Sequence, residues 1–162
     1  MYEININSNG PEDTMKIGNN LAALLSKGDL VVLTGELGSG KTKFVEGFLQ
    51  NYNLQEEISS PTFTIINEYT TNDISIYHFD AYRLEDSDEF YAIGGEEYFE
   101  KGICLIEWGE LISDVLPNDY IHISINKDET DENKRVFNFK IQDNSKYIDI
   151  LNKLKEELNW KY

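Results

Sequence analysis

The sequence predicts one α/β domain over residues 1–162, with a mixed central sheet flanked by helices. The apolar run LVVL at residues 30–33 leads into a glycine-rich segment and then into a helical pattern, which is the order strand, loop, helix. The run ICLI at residues 103–106 is entirely apolar, as expected for a strand covered on both faces in a parallel sheet. Two pairs of strand-like segments, each joined by a polar turn, predict hairpins. We therefore expect a parallel core with antiparallel hairpins beside it.

The first part of the chain predicts two strands and two helices. Residues 2–7 alternate between apolar and polar side chains, as a short strand does. Pro11, followed by two acidic residues, marks the start of a helix that Gly28 ends. After the strand at residues 30–33, apolar side chains at helical spacing predict the second helix: Phe44, Phe48, Leu49 and Tyr52.

The middle of the chain predicts a hairpin and a short helix. Residues 63–69 and 74–79 are strand-like and are joined by a polar turn, which indicates an antiparallel pair. Acidic residues at 85–89 begin a helix, because negative charge stabilises the first turn. Gly94 and Gly95 end it.

The last part of the chain predicts a central strand, a second hairpin and a helix. The strand at residues 103–106 is expected near the middle of the sheet. Residues 120–125 and 136–141 form the second predicted strand pair, after Pro117. An amphipathic pattern predicts the final helix through Ile148, Leu151, Leu154 and Leu158.

Composition limits the functions that the chain can perform. Hydrophobic residues make up 40% of it and charged residues 27%, which favours a globular domain over a disordered one. No apolar run approaches the roughly 18 residues of a membrane span, and the N-terminus lacks the pattern of a signal peptide. We therefore expect a cytoplasmic protein that does not bind membranes. The single cysteine, Cys104, excludes a disulfide framework and is expected in the core.

The net charge of −16 bears on nucleic-acid binding. A protein that binds nucleic acid by itself needs a basic surface against the phosphates. Any role in an RNA pathway would therefore require a protein partner or a small local basic patch.

The segment GELGSGKT, residues 35–42, matches the phosphate-binding pattern G-x-x-x-x-G-K-[ST] at every position. Its glycines allow successive backbone N–H groups to point at phosphates, next to the positive end of a helix. The lysine neutralises β- and γ-phosphate oxygens during catalysis, and the threonine hydroxyl ligates magnesium. The sequence therefore predicts a P-loop NTPase domain that binds ATP and Mg²⁺. The predicted nucleotide-binding residues here are Leu37, Gly38, Ser39, Gly40, Lys41 and Thr42.

Further polar candidates lie where apolar strands end. Asp80 follows IYHF and Glu107 follows ICLI, and either carboxylate could assist magnesium or order the γ-phosphate side. Ser60 and Thr62 flank Pro61, in the place where switch-type NTPases carry a hydroxyl that senses the γ-phosphate.

Two other features receive structural interpretations. NKDE at residues 126–129 resembles the guanine-selecting N-K-x-D, but its fourth residue is Glu and a strand follows, so ATP is expected rather than GTP. His78 and His122 lie within strand-like runs without a second ligand at metal spacing. We interpret both as structural histidines.

Three more segments show a resemblance to a known family: SSPTFTIINEY from Ser59, YHFDAYRL from Tyr77 and ICLIEW from Ile103. Together with GELGSGKT they make nearly the whole chain resemble the bacterial TsaE proteins, also called YjeE, the ATPase component of tRNA threonylcarbamoyladenosine (t6A) synthesis. The resemblance implies a weak, partner-dependent ATPase that docks on the TsaB–TsaD complex. That complex transfers a threonylcarbamoyl group to adenosine 37 of tRNAs reading codons that begin with A. tRNA would be contacted only indirectly, through the complex.

The resemblance also implies roles for individual residues. Glu107 looks like the family's magnesium-side acid, and Asp80 like its second acidic residue, beside the γ-phosphate. Thr62 looks like the hydroxyl of the switch segment, and Arg135 resembles a residue near the nucleotide. Trp108 and Arg83 match positions at the partner or catalytic face.

Two alternatives remain open at this point. A small P-loop metabolite kinase would transfer the γ-phosphoryl group to a bound acceptor, and it predicts a basic acceptor pocket and a lid. A nucleotide-gated binding module with vestigial hydrolysis would dock on a partner in one nucleotide state. Steady-state ATP turnover with and without the partner pair separates the module from the ATPase.

Overall fold

A seven-stranded mixed sheet organises the chain in a computed structural model that describes residues 1–36, 38–57 and 65–158. The strands are β1 (Tyr2–Ser8), β2 (Leu30–Thr34), β3 (Ile66–Thr70), β4 (Ser75–Asp80), β5 (Ile103–Glu107), β6 (Ile121–Lys127) and β7 (Arg135–Ile141). They lie side by side in the order β1-β7-β6-β2-β5-β4-β3.

The four strands β4, β5, β2 and β6 form the parallel core. β2 lies between β5 and β6, with Val31 opposite both Leu105 and Ile121. Antiparallel pairing adds β3 to β4 on one side, and β7 and then β1 on the other. The predicted combination of a parallel core with antiparallel hairpins is confirmed.

Helices cover both faces of this sheet. One hydrophobic cluster joins it to the first, second and fourth helices, and another joins it to the third helix and to irregular turns. The first two helices approach so closely that Gly18 and Gly47 each face the backbone of the other helix. The helices are α1 (Pro11–Leu24), α2 (Lys41–Gln50), α3 (Ser87–Ala92) and α4 (Ile148–Glu157).

The predicted elements are all present, with shifted ends. α1 stops at Leu24, so that Gly28 lies in the following turn instead of ending the helix. α2 ends at Gln50, before Tyr52. α3 begins at Ser87 because the side chain of Asp86 accepts a hydrogen bond from the Glu89 N–H and caps the helix there. The first two residues of the predicted strand 63–69 lie outside the described residues.

Short 3₁₀ segments were not predicted, because periodicity does not identify single turns. Two of them, Ala81–Arg83 and Gly109–Val115, follow the ends of β4 and β5. They shape the carboxyl edge of the sheet.

The core contains most of the residues that periodicity selected, while Tyr52 and Ile148 are partly buried and pack against it. Cys104 is fully buried in the core, as expected. Burial raises the pKa of its thiol to about 12. Within the described ranges, the helices are too short and too polar to cross a bilayer.

Candidate nucleotide-binding site

The glycine-rich segment forms a loop between the end of β2 and the start of α2. Gly38 and Gly40 adopt left-handed φ angles of 80° and 110°, which favour glycine. The Ser39 side chain is buried beneath the loop, and its hydroxyl has no hydrogen-bond partner among the described residues. Lys41 opens α2, and Thr42 follows it in the first turn. The predicted nucleotide-binding residues Gly38 to Thr42 thus lie in a loop and at the N-terminus of a helix, an arrangement that binds phosphates.

Lys41 is held at the carboxyl edge of the sheet by two neighbours from the end of β5. Its Nζ lies 3.5 Å from Glu107 Oε1 and 4.9 Å from the centre of the Trp108 ring. Trp108 adopts a left-handed φ of 60°, which is uncommon for a residue other than glycine. Its backbone N–H donates to Leu33 O at 2.8 Å, so that the turn is fixed to the strand that leads into the phosphate loop.

The Glu107 carboxylate lies between Lys41 and His78. Its second oxygen, Oε2, is 2.7 Å from Nε2 of His78 on β4. Burial raises the pKa of Glu107, but the hydrogen bond and charge of His78, together with the charge of Lys41, outweigh it and hold the pKa below its usual range. Glu107 is therefore ionised, and since a carboxylate only accepts hydrogen bonds, His78 Nε2–H is the donor.

Asp80 lies next to Glu107 in register, at the ends of the adjacent strands β4 and β5. Its carboxylate accepts hydrogen bonds from the Tyr82 backbone N–H at 3.1 Å and from Arg83 Nε at 3.3 Å. The structure thus brings the two predicted carboxylates together at the edge that carries Lys41. Arg83 thus contacts Asp80 at this edge.

Arg135, at the start of β7, contacts the phosphate loop from the other side. Its Nε donates to Ser39 O at 3.0 Å, and a terminal nitrogen donates to Gly38 O at 3.2 Å. A cavity of about 180 Å³ lies here. Besides Arg135 and the loop, its lining includes Gly10, Pro11, Thr14, Lys43 and Asn133. Sequence reasoning did not select the α1 residues, because only the fold places that N-terminus beside the loop.

A second polar cluster lies at the end of β2, on the side of β6. Thr34, the last residue of β2, contacts His122 Nε2 at 2.9 Å and donates to Glu110 Oε2 at 2.5 Å. His122 is therefore hydrogen-bonded, in agreement with its structural interpretation. Asn126 and Lys127 end β6, and a turn and strand β7 follow them, as the argument against a guanine site expected.

Leu37, Ser60 and Thr62, which the sequence selected, lie outside the described residues. The remaining predicted site residues lie at one edge of the sheet: Gly38 to Thr42, Asp80, Glu107 and Arg135. Sequence reasoning missed the contact of His78 with Glu107. The available signal was its spacing of two residues from Asp80, which places both side chains on one face of β4.

A mixed sheet with this loop between a central strand and a helix, and with acidic residues at the ends of the neighbouring strands, defines a P-loop NTPase. The family model described as "Threonylcarbamoyl adenosine biosynthesis protein TsaE" matches residues 8–136. The chain belongs to the TsaE family, a nucleotide-binding P-loop family.

Individual relatives agree with this assignment. The "tRNA threonylcarbamoyladenosine biosynthesis protein TsaE" of Bacillus subtilis is 41% identical over 128 residues, covering 78% of this chain and 80% of the relative. The protein of that name from Treponema pallidum is 41% identical over 119 residues, 73% of this chain and 87% of the relative. Among solved structures, Bacillus subtilis YdiB matches with a TM-score of 0.71 and 32% identity, covering 98% of this chain and 95% of that one.

Proposed function

We propose that this protein binds ATP with Mg²⁺, hydrolyses it slowly, and acts with the TsaB–TsaD complex in the t6A modification of tRNA. The observation that carries the nucleotide part is the position of Lys41, at the start of α2 and 3.5 Å from the ionised Glu107 at the end of β5. The cationic and anionic groups that nucleotide chemistry needs thus share one edge of the sheet.

The phosphate-binding role rests on the loop. Backbone N–H groups of Gly38 and Gly40 and the charge of Lys41 would hold the phosphates, with Leu37 and Ser39 contributing as the sequence predicts. The buried Ser39 hydroxyl has no hydrogen-bond partner among the described residues, so it could form a hydrogen bond with a bound ligand. Arg135 and the cavity of about 180 Å³ beside it would hold the nucleoside end.

The donor set fits magnesium. Glu107 supplies an ionised carboxylate and Thr42 a hydroxyl, and hard oxygen ligands are those that Mg²⁺ prefers. The described residues contain no group of three or more His, Cys, Asp or Glu side chains that could hold a metal alone. When bound, Mg²⁺ would neutralise charge on the β- and γ-phosphates.

Asp80 and Thr62 complete the proposed catalytic set with Lys41. Asp80, fixed by the Tyr82 N–H and by Arg83, would order the γ-phosphate side, and Thr62 would serve as the switch hydroxyl. Changing Glu107 to Gln should raise the magnesium concentration for half-maximal activity. Changing Asp80 to Asn should instead lower turnover at saturating magnesium. Wild-type behaviour of both variants in the presence of the partner pair would exclude these two carboxylates from the site.

Replacement of Lys41 by Ala tests the phosphate assignment. ATP affinity or turnover should fall at least tenfold, about 1.4 kcal/mol, because the charge opposite the phosphates is lost. Lys101 provides a matched control, since its ammonium also lies over an aromatic ring, 5.2 Å from the centre of Tyr98, but it precedes β5 at the opposite end of the strand. Lys101→Ala should leave nucleotide binding unchanged. Equal binding and turnover in Lys41→Ala and the wild type would contradict the assignment.

The partner assignment draws on the relatives' names and on the surface beside the site. A chain of net charge −16 is poorly suited to bind tRNA directly. Tyr82 packs against Trp108 and is 70% exposed, and Leu111 in the following turn is 56% exposed, so apolar side chains border the nucleotide site. Such exposure fits a protein contact next to the nucleotide.

Co-purification with TsaB and TsaD, followed by ATPase and tRNA-modification assays on the assembled mixture, tests the partner assignment. The complete mixture should turn over ATP faster than the isolated protein and should modify tRNA. Turnover that stayed negligible with the pair, while binding persisted, would favour the nucleotide-gated module instead.

A further inference from the structure

His78 is a buried titratable residue to which the proposed nucleotide chemistry gives no task. It is 6% exposed, and its Nε2 donates to Glu107 Oε2 at 2.7 Å. From the sequence alone it is a structural histidine. In the structure, however, it contacts Glu107, the carboxylate to which we assign magnesium binding.

We propose that His78 is a positioning residue, which holds Glu107 Oε2 so that Oε1 stays directed at the phosphate loop. This inference rests on the proposed function, because it assumes that Glu107 serves the metal. His78 itself would contact neither nucleotide nor metal.

The two carboxylate oxygens of Glu107 have different partners. Oε2 faces His78, and Oε1 faces Lys41 Nζ at 3.5 Å. The terminal torsion of a glutamate is broad and roughly two-fold, so that the side chain alone does not fix the orientation of the carboxylate plane. The hydrogen bond from β4 supplies that restraint.

The restraint becomes more important when nucleotide binds. Among the described residues the Glu107 carboxylate contacts His78 and Lys41. Phosphates would draw Lys41 away, because they carry more negative charge than one carboxylate does. His78 would then be the remaining described partner, and it would prevent a buried carboxylate from following the lysine or losing its orientation.

If His78 only fills space, the protein should tolerate different substitutions than if His78 positions Glu107. Phe fills the space of the imidazole but cannot donate a hydrogen bond. Gln places an amide N–H about as far from Cα as Nε2 of histidine and can still donate to Glu107. The Asn amide is too short to reach. A packing role therefore favours Phe, whereas a positioning role favours Gln over both Phe and Asn.

The test measures how strongly magnesium supports nucleotide binding. The dissociation constant of a non-hydrolysable ATP analogue is determined calorimetrically with Mg²⁺ and with EDTA. The value in EDTA divided by the value in Mg²⁺, called the magnesium ratio, gives the contribution of the metal to binding. His78→Phe and His78→Asn should reduce this ratio at least tenfold, whereas His78→Gln should keep it within about threefold of wild type. Affinity in EDTA should be similar in all variants, since the phosphate loop is unchanged.

His122 supplies a matched control, because it is the other histidine of the chain and also lies near a glutamate. Its Nε2 is hydrogen-bonded to the Thr34 hydroxyl at 2.9 Å and lies 3.9 Å from Glu110 Oε2. His122→Gln should leave the magnesium ratio unchanged. Circular dichroism and urea unfolding establish that each variant is folded, and if Phe does not fold, the comparison of Asn with Gln decides.

A wild-type ratio in folded His78→Phe or His78→Asn would overturn the inference, and so would an equal loss in the Gln and Asn variants. In both cases the proposed function stands, provided that Mg²⁺ strengthens nucleotide binding by the wild-type protein. A wild-type protein whose nucleotide affinity did not respond to Mg²⁺ would instead refute the proposed function, and this inference with it.

Discussion

Replacement of Gly47 by Ala should destabilise the protein, although helix propensity alone predicts the opposite. Gly47 lies within α2, where α1 crosses it, and an added Cβ would lie 2.5 Å from Met15 Cα and 2.6 Å from its carbonyl carbon. Real Cβ atoms do not approach heavy atoms so closely. Both atoms belong to backbone, so no side-chain rotation can relieve the collision.

The magnitude follows from two opposing effects. Alanine is favoured over glycine within a helix by about 1 kcal/mol. Overpacking of a close-packed contact costs about 1–3 kcal/mol, and a backbone collision belongs at the upper end of that range. We expect a net loss of about 1–2 kcal/mol in the free energy of unfolding.

Urea unfolding followed by circular dichroism measures this loss. With a slope of about 2 kcal/mol/M, the midpoint should fall by about 0.5–1 M. Gly10→Ala is the matched control, because a Cβ at Gly10 would meet nothing within 4 Å and the midpoint should hardly change. A Gly47→Ala midpoint equal to or above that of the wild type would refute the close approach of α1 and α2.

Three further predictions concern buried or partly buried side chains. Tyr147→Phe should lower the free energy of unfolding by about 1–2 kcal/mol, because the Tyr147 hydroxyl accepts a hydrogen bond from the buried Leu30 N–H at 3.1 Å, and urea unfolding measures the loss. Cys104, buried and with its pKa raised to about 12, should resist a thiol reagent at pH 8 and react fully in denaturant. Burial lowers the pKa of His122, so its contribution to stability should be complete above about pH 6.5 and lost as the pH falls through its lower folded pKa. His122→Gln should therefore lose less stability than wild type between pH 7.5 and pH 5.

Each of these has a contradicting result. A Phe variant at position 147 as stable as wild type would mean that the Leu30 N–H has another partner. Rapid labelling of native Cys104 would show that β5 is not covered on both faces. An unchanged pH dependence in His122→Gln would show that this imidazole takes up a proton as readily in the folded protein as in the unfolded chain.

Much of the fold could be predicted because the determining signals are local. The all-apolar run that became β5 and the polar turn between β3 and β4 each act within a few residues. The ends of elements were less accurate, since α1 stops at Leu24 and α3 is fixed by the Asp86 cap, and such ends depend on one or two hydrogen bonds.

The amino-acid sequence by itself determined the phosphate loop, because the order of glycines, lysine and threonine in eight consecutive residues sets both its backbone conformation and its charge. It also determined that Asp80 and Glu107 end strands. Tertiary structure alone decided that β4 and β5 are neighbours in register, which brings Asp80 beside Glu107 and places His78 against its carboxylate. It likewise decided that β7 carries Arg135 to the loop, 96 residues from Ser39 along the chain. These contacts arise from strand pairing over long sequence separations, and no local pattern of side chains encodes which strands will pair.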